Sequence, residues 1–269
     1  MRTLRINEKL ERMVIDKLLH AGCVFAEEEA ELLIAEAKTS DELLKMTESR
    51  ALGAPIEYVL GYTCFCGLRI NVERNVFVPR RRTEFLAEKA KAIVQDGDRV
   101  VDLCCGSGAI GAAIASGADI HLHAVDIDEA AVRCAKRNLS GLGAHVYQGD
   151  LYSVLPRSLK GSVKMIAANI PYVPTGFIDL LPQEARLHEP KSALDGGEDG
   201  FMILRKVAAE APEWLAPGGD LMIETSGRQA SKAAEIFEES GLTARIAKDK
   251  DLDATVIIGR LKRLQKSQI

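Results

Sequence analysis

No stretch of this sequence approaches the roughly 18 consecutive apolar residues needed to cross a bilayer. Its first ten residues, Met1 to Leu10, are charged and carry no apolar signal core. A membrane span and a secretory leader are therefore not expected, and the cytoplasm is the expected compartment. Metal-ligand spacing is missing too. Of the six cysteines, Cys64 and Cys66 stand one residue apart, and no second pair with zinc-ligand spacing follows, so no metal site is expected. Cys104 and Cys105 are adjacent in a glycine-rich turn, which suits reduced thiols better than a disulfide framework. Neither sign of charge dominates: 35 basic against 39 acidic residues leave a net charge of −4, which weighs against general electrostatic capture of nucleic acid. Internal repeats and low-complexity tracts are also lacking.

What is present reads as an ordinary globular chain, 47% hydrophobic and 28% charged, long enough for a small domain and a larger one. Ile6, Leu10, Met13, Val14 and Leu18 recur at helical spacing, with Gly22 as a left-handed stop. A second helical run covers Glu27 to Lys38, and Ser40 can cap a third through Met46. These helices define a bundle over residues 1–54. Glycines then punctuate the chain, and Leu68, Ile70 and Val72 alternate with polar residues, predicting a β-hairpin linker over 55–80.

From Arg99 the pattern is apolar strand, glycine turn and helix, repeated, which predicts a parallel sheet covered on both faces within residues 81–269. Strands are expected at Arg99 to Leu103, His121 to Val125, His145 to Gln148, Lys164 to Asn169 and Asp220 to Glu224. Leu242 to Ala247 and Thr255 to Ile258 are separated by a polar turn and should close the sheet as an antiparallel hairpin. Trp214 reads as core packing.

Asp102 to Gly111 runs from an apolar strand through Cys104-Cys105-Gly106-Ser107-Gly108 into an alanine-rich helix. Gly106 and Gly108 let backbone approach a ligand closely. Gly106, Gly108 and Gly111 also match the dinucleotide fingerprint. Asp102 weighs against that reading, because a carboxylate beside the loop repels a pyrophosphate but favours the ammonium and sulfonium of S-adenosylmethionine. Asp126 ends the next strand where its two oxygens can accept from ribose hydroxyls, and Asp150, after the third strand, can accept from the adenine amine.

The fourth strand ends in Asn169-Ile170-Pro171-Tyr172. Methylating a weakly nucleophilic NH₂ group requires its lone pair to be aimed at the methyl carbon. The Asn169 side-chain oxygen and the carbonyl of Ile170 or Pro171 can each hold one N–H, while the Tyr172 ring covers the planar face.

With these motifs the chain resembles the protein-(glutamine-N5) methyltransferases, the HemK/PrmC-type enzymes that methylate the glutamine of the Gly-Gly-Gln motif in class I peptide-release factors. The likeness extends to Pro55-Ile56-Glu57-Tyr58-Val59-Leu60-Gly61, Phe77-Val78-Pro79-Arg80 with Thr83-Glu84, Glu189-Pro190, and Gly196-Gly197-Glu198-Asp199-Gly200. The resemblance implies an α/β, Rossmann-like class I methyltransferase domain with a seven-stranded sheet, joined by a hairpin to an N-terminal helical bundle that helps to hold a protein substrate.

The resemblance further implies that S-adenosyl-L-methionine is the cofactor, bound by Asp102, Cys104, Gly106, Gly108, Asp126, Ile127, Asp150, Leu151 and Asn169. Asn169, Pro171 and Tyr172 would be the catalytic grip on the amide. Phe77, Pro79, Arg80, Ile170 and Glu189 would lie with them around the substrate, Glu189 by anchoring the loop that covers it.

The chain departs from the family pattern at Ile170, where proline is usual, at Cys104, where glycine is usual, and at Arg81-Arg82, where a proline and an acidic residue are usual. A divergent branch is thus indicated. Another protein, a small molecule or an exocyclic amine of nucleic acid remains an alternative acceptor, as does a non-catalytic role in binding S-adenosylmethionine. The arginines at 80–82, with Arg69 and Arg74, are expected on a solvated surface between the two parts of the chain.

Overall fold

The computed structural model describes residues 6–263. The outermost parts of the two terminal regions expected above, 1–5 and 264–269, lie outside it. The chain opens with helices α1 (Glu8–His20), α2 (Ala26–Glu36) and α3 (Ser40–Ala51). The Asn7 side chain accepts from Leu10 N at 2.9 Å and caps α1. Gly22 ends it in the left-handed region at φ 85°, with Cys23 N bonded back to Leu18 O. The cap of α3 is Thr39, whose hydroxyl accepts from Glu42 N, rather than Ser40. Val14, Leu18, Ala30, Leu33 and Leu43 fill the space between the three helices.

The linker does not enter its hairpin directly. One short helix, α4 (Ile56–Leu60), precedes strands β1 (Tyr62–Phe65) and β2 (Leu68–Asn71), which pair antiparallel with Phe65 opposite Leu68. Cys66 and Gly67 form the turn, both at positive φ, the twist that a two-residue hairpin requires.

The remainder is α5 (Glu84–Lys91), β3 (Arg99–Leu103), α6 (Ala109–Ala115), β4 (His121–Asp126), α7 (Glu129–Asn138), β5 (His145–Gln148), β6 (Val163–Ala168), α8 (Gln183–His188), α9 (Met202–Trp214), β7 (Leu215–Glu224), α10 (Ala230–Glu239), β8 (Leu242–Asp249) and β9 (Ala254–Leu261). The strands form one seven-stranded sheet in the order β5-β4-β3-β6-β7-β9-β8, parallel except for β9, which runs antiparallel to β7 and β8. This is the Rossmann-like sheet with an antiparallel C-terminal pair that was expected.

Strand residues alternate between two cores. Val101, Leu103, Ile166 and Ala168 pack with α9 and α10 on one face. Val100, Leu122, Met165 and Ala167 pack with α5 and α6 on the other. Burial on both faces explains why these strands read as continuous apolar runs. Among the described residues, no helix is long and apolar enough to cross a membrane.

The order of the strands reverses at β3: the chain winds outward through β4 and β5, then returns to β6 on the other side. Sheets of this kind open a crevice beyond the carboxyl ends of the strands flanking such a reversal.

Candidate active site

A cavity of about 460 Å³ opens at that crevice. Cys104 to Ser107 enter its wall from the end of β3, Asp126 and Ile127 from β4, Asn169 to Tyr172 from β6, and Phe77, Pro79, Arg80 and Thr83 from the segment after the hairpin. The glycine turn is tight because three residues take positive φ: Cys104 at 54°, Gly106 at 54° and Gly108 at 78°. Glycine is the usual residue in that region, so Cys104 holds a conformation that ordinarily disfavours a side chain. Burial pushes its thiol well up, helped by Asp126 and Asp102, so the thiol is neutral.

Asp126 organises the loop. One carboxylate oxygen accepts from Gly106 N at 2.8 Å and the other from Asp128 N at 2.9 Å. Each oxygen keeps a second lone pair for a ligand hydroxyl. Asn138 of α7 braces the same loop from behind, donating to Ser107 O at 2.8 Å and Asn71 O at 2.9 Å, and so ties the hairpin to it.

Asn169 follows the last residue of β6. Its side-chain N–H donates to the Thr83 hydroxyl at 3.3 Å, which reserves the amide oxygen as a free acceptor. The carbonyls of Ile170 and Pro171 accept no hydrogen bond among the described residues. Ile170 is 1% exposed and packs in the core behind the turn, where the branched residue stands in place of the family's proline. The Tyr172 hydroxyl meets Arg82 at 2.9 Å and Glu224 at 3.3 Å, and burial pushes its phenol up to about 12, with Glu224 adding to the rise and Arg82 opposing it.

The loop after α8 is fastened over this end. Buried Glu189 accepts from Val78 N at 3.2 Å and from Arg80 at 2.6 Å. Arg80 in turn lies over the Phe77 ring. Arg50 of α3, itself buried, clasps Glu29 with two N–H groups and reaches Glu184 of α8 with a third.

Some of the residues expected around the cofactor and acceptor lie outside the cavity wall. Asp102 is fully buried and does not line the cavity; it points to the α6 side of the sheet, where it accepts from Gly111 N at 2.8 Å. Gly108 packs against Leu139, which a Cβ would meet at 3.0 Å, and is likewise absent from the wall. The Asp150 carboxylate is solvent-exposed and 4.0 Å from Lys206, and its charge is felt at Cys104 in the cavity wall. Leu151 is core. Glu189 acts from behind the wall.

Arg80 and Arg82, expected on a solvated surface, both reach buried carboxylates. Arg69 pairs with Glu36 at 2.9 Å. Thr83, Asn138 and Glu224 were not singled out from sequence, although Thr83 stands in one of the stretches that carry the resemblance.

A family model described as the methyltransferase small domain matches residues 69–179. The chain is 36% identical over 196 residues to the release factor glutamine methyltransferase of Geobacter sulfurreducens, covering 71% of this chain and 68% of that protein. The chain belongs to the release factor glutamine methyltransferase family. It is therefore a methyltransferase whose methyl donor is S-adenosyl-L-methionine. It is also 34% identical to the 4-amino-L-phenylalanine/4-methylamino-L-phenylalanine methyltransferase of Streptomyces pristinaespiralis, covering 70% of this chain and 66% of that one. Among solved structures, a methyltransferase from Pyrococcus furiosus superposes with a TM-score of 0.55 at 17% identity, covering 83% of this chain and 98% of that one, which shows the shared fold.

The glycine turn and Asp126 fit this cofactor: a close backbone approach beside a carboxylate with lone pairs to spare suits a ribose. Buried Asp102 sits behind the loop with one oxygen unpaired among the described residues. Burial pushes its carboxyl up to about 7, opposed by the Gly111 N–H and helped by the Asp126 charge. Between the ordinary value of 3.8 and about 7 the folded chain therefore holds a proton that the unfolded chain has released, so stability falls as pH rises through that window. Asp102→Asn, which cannot ionise, is expected to gain melting temperature relative to the unsubstituted chain from about pH 4 to about pH 7 and to level off above. Thermal melts across that range check it, and a constant difference would show that Asp102 does not titrate there.

Proposed function

We propose that the chain methylates the side-chain amide nitrogen of a glutamine in a protein, with a class I peptide-release factor as the acceptor. The observation that carries this reading is the turn after β6, where the Asn169 amide is oriented by Thr83 and stands next to two unpaired backbone carbonyls. Two fixed acceptors hold both N–H groups of a planar NH₂ and aim its lone pair. They also stabilise positive charge growing on the nitrogen.

The bound cofactor supplies an electrophilic methyl group. Gly106 and Asp126 would hold the cofactor, the Tyr172 ring would cover the acceptor plane, and the loop fastened by Glu189 and Arg80 would border the acceptor end. The methylated nitrogen releases its proton to water. Among the described residues no histidine lines the cavity, and none is needed for that step. The helical bundle, tied to α8 through Arg50 and Glu184, offers the surface on which a protein substrate docks.

Purified release factors, incubated with the chain and isotopically labelled S-adenosylmethionine, should gain the mass of one CH₂ on a glutamine, located by peptide mass spectrometry. A planar aromatic amine suits the same pair of acceptors, and an amine of that kind is named for the Streptomyces relative. Label in the small-molecule fraction with unmodified release factor would replace the glutamine reading with that one.

A further inference from the structure

Arg82 has no part in the chemistry set out above, yet its guanidinium lines the acceptor end of the cavity. The arginines at 80 and 82 are turned onto different buried carboxylates. Arg80 goes to Glu189, and Arg82 goes to Glu224 at the end of β7. Arg82 Nε donates to Glu224 Oε1 at 3.2 Å and Arg82 Nη2 donates to the Tyr172 hydroxyl at 2.9 Å. That hydroxyl donates in turn to the same Glu224 oxygen at 3.3 Å. Three side chains, from the turn Arg81–Thr83, the turn after β6 and the end of β7, thus close a triangle.

We propose that Arg82 and Glu224 are positioning residues that fix the Tyr172 ring, and with it the Asn169–Tyr172 turn, in the arrangement that receives the acceptor NH₂. The proposal rests on the reading that this turn grips the acceptor.

Three physical points support it. A phenol held by one partner still swings about its side-chain bonds, whereas two partners on separate elements fix where the hydroxyl end of the ring lies. The Tyr172 carbonyl is held as well, by Gln229 at 2.9 Å, so both ends of the residue are tethered. Secondly, Glu224 is 1% exposed and its other oxygen is unpaired among the described residues. Among the described residues Arg82 is the cation paired with Glu224, and removing it would leave a buried carboxylate without its partner. Thirdly, the pair is neutral as a whole. A lone guanidinium beside the acceptor would oppose positive charge growing on the nitrogen; Glu224 cancels that field and leaves the geometric effect.

The test is a double-mutant cycle in the full-length protein with the acceptor identified as above, together with crystal structures of the parent and Arg82→Met, each with S-adenosylhomocysteine. Arg82→Met and Tyr172→Phe should each lower kcat about tenfold or more, with acceptor KM changed far less, because a displaced turn misorients an acceptor that still binds. The double variant should be no worse than the poorer single one. Arg82→Lys, which keeps the charge on Glu224, should recover part of the loss. The Tyr172 ring should leave its position in the Arg82→Met crystal, a readout that needs no acceptor.

Unchanged kcat in Arg82→Met, multiplicative losses in the double variant, or a Tyr172 ring that stays in place would each overturn the proposal. If Arg82→Met folds poorly because Glu224 is stranded, Arg82→Met with Glu224→Gln removes both charges and is read the same way. Loss of turnover in Asn169→Ala with none in the Arg82 variants would defeat this inference alone; unchanged turnover in Asn169→Ala would defeat the reading beneath it.

Discussion

Replacing Asn169 by alanine should leave S-adenosylmethionine binding intact and lower turnover by about 100-fold or more, the scale of one lost charge-stabilising hydrogen bond in a preorganised site. The separation between binding and turnover follows from where the residue sits. Asn169 donates one side-chain N–H to Thr83 and keeps its amide oxygen as an acceptor in the cavity wall, so it bears on the acceptor side. Calorimetry with the cofactor and single-turnover methylation measure the two effects independently. Asn169→Asp sharpens the test, since it keeps an oxygen acceptor but replaces the N–H that Thr83 holds. Turnover unaltered in the alanine variant would remove the turn after β6 from the mechanism.

The second large effect is expected at Asp126. Asp126→Ala should weaken cofactor binding by more than about 100-fold, because a hydrogen bond to a charged group contributes roughly 1.5–3 kcal/mol and two ribose hydroxyls are at stake. The variant also frees the Gly106 and Asp128 N–H groups, which the carboxylate holds at 2.8 Å and 2.9 Å, so the loop itself loosens. Asp126→Asn discriminates between these losses: one amide oxygen can still hold one backbone N–H, and binding should fall between the two extremes. An affinity for S-adenosylmethionine within about threefold of the parent in Asp126→Ala, too small for even one such bond, would show that this carboxylate does not bind the ribose.

The sheet was largely legible because its strands are apolar on both faces and each is followed by turn residues, a pattern that few other arrangements satisfy. Asn169 to Tyr172 was legible as chemistry because an amide, a proline and an aromatic ring end a strand together. Which way a side chain turns beyond a strand end was less so. Asp102 and Asp126 look equivalent in sequence, each an acid at the end of an apolar run. Asp102 lies one residue short of the end of β3 and so faces α6, whereas Asp126 is the last residue of β4 and reaches the crevice.

Thr83 and Glu224 could not be assigned because their roles arise across 86 and 52 positions of chain, to Asn169 and Tyr172. Ser40 and Thr39 are both capping residues, and only the register of α3 distinguishes them.

Arg50 carries a consequence for redesign. Because one guanidinium is shared between Glu29 within the bundle and Glu184 on α8, the N-terminal helices are not an interchangeable handle that can be cut away and replaced to redirect the enzyme. A chimera that exchanged residues 1–54 for a foreign domain would take away the Arg50 partner of Glu184 on α8. Any exchange of these helices therefore has to carry the clasp over unchanged.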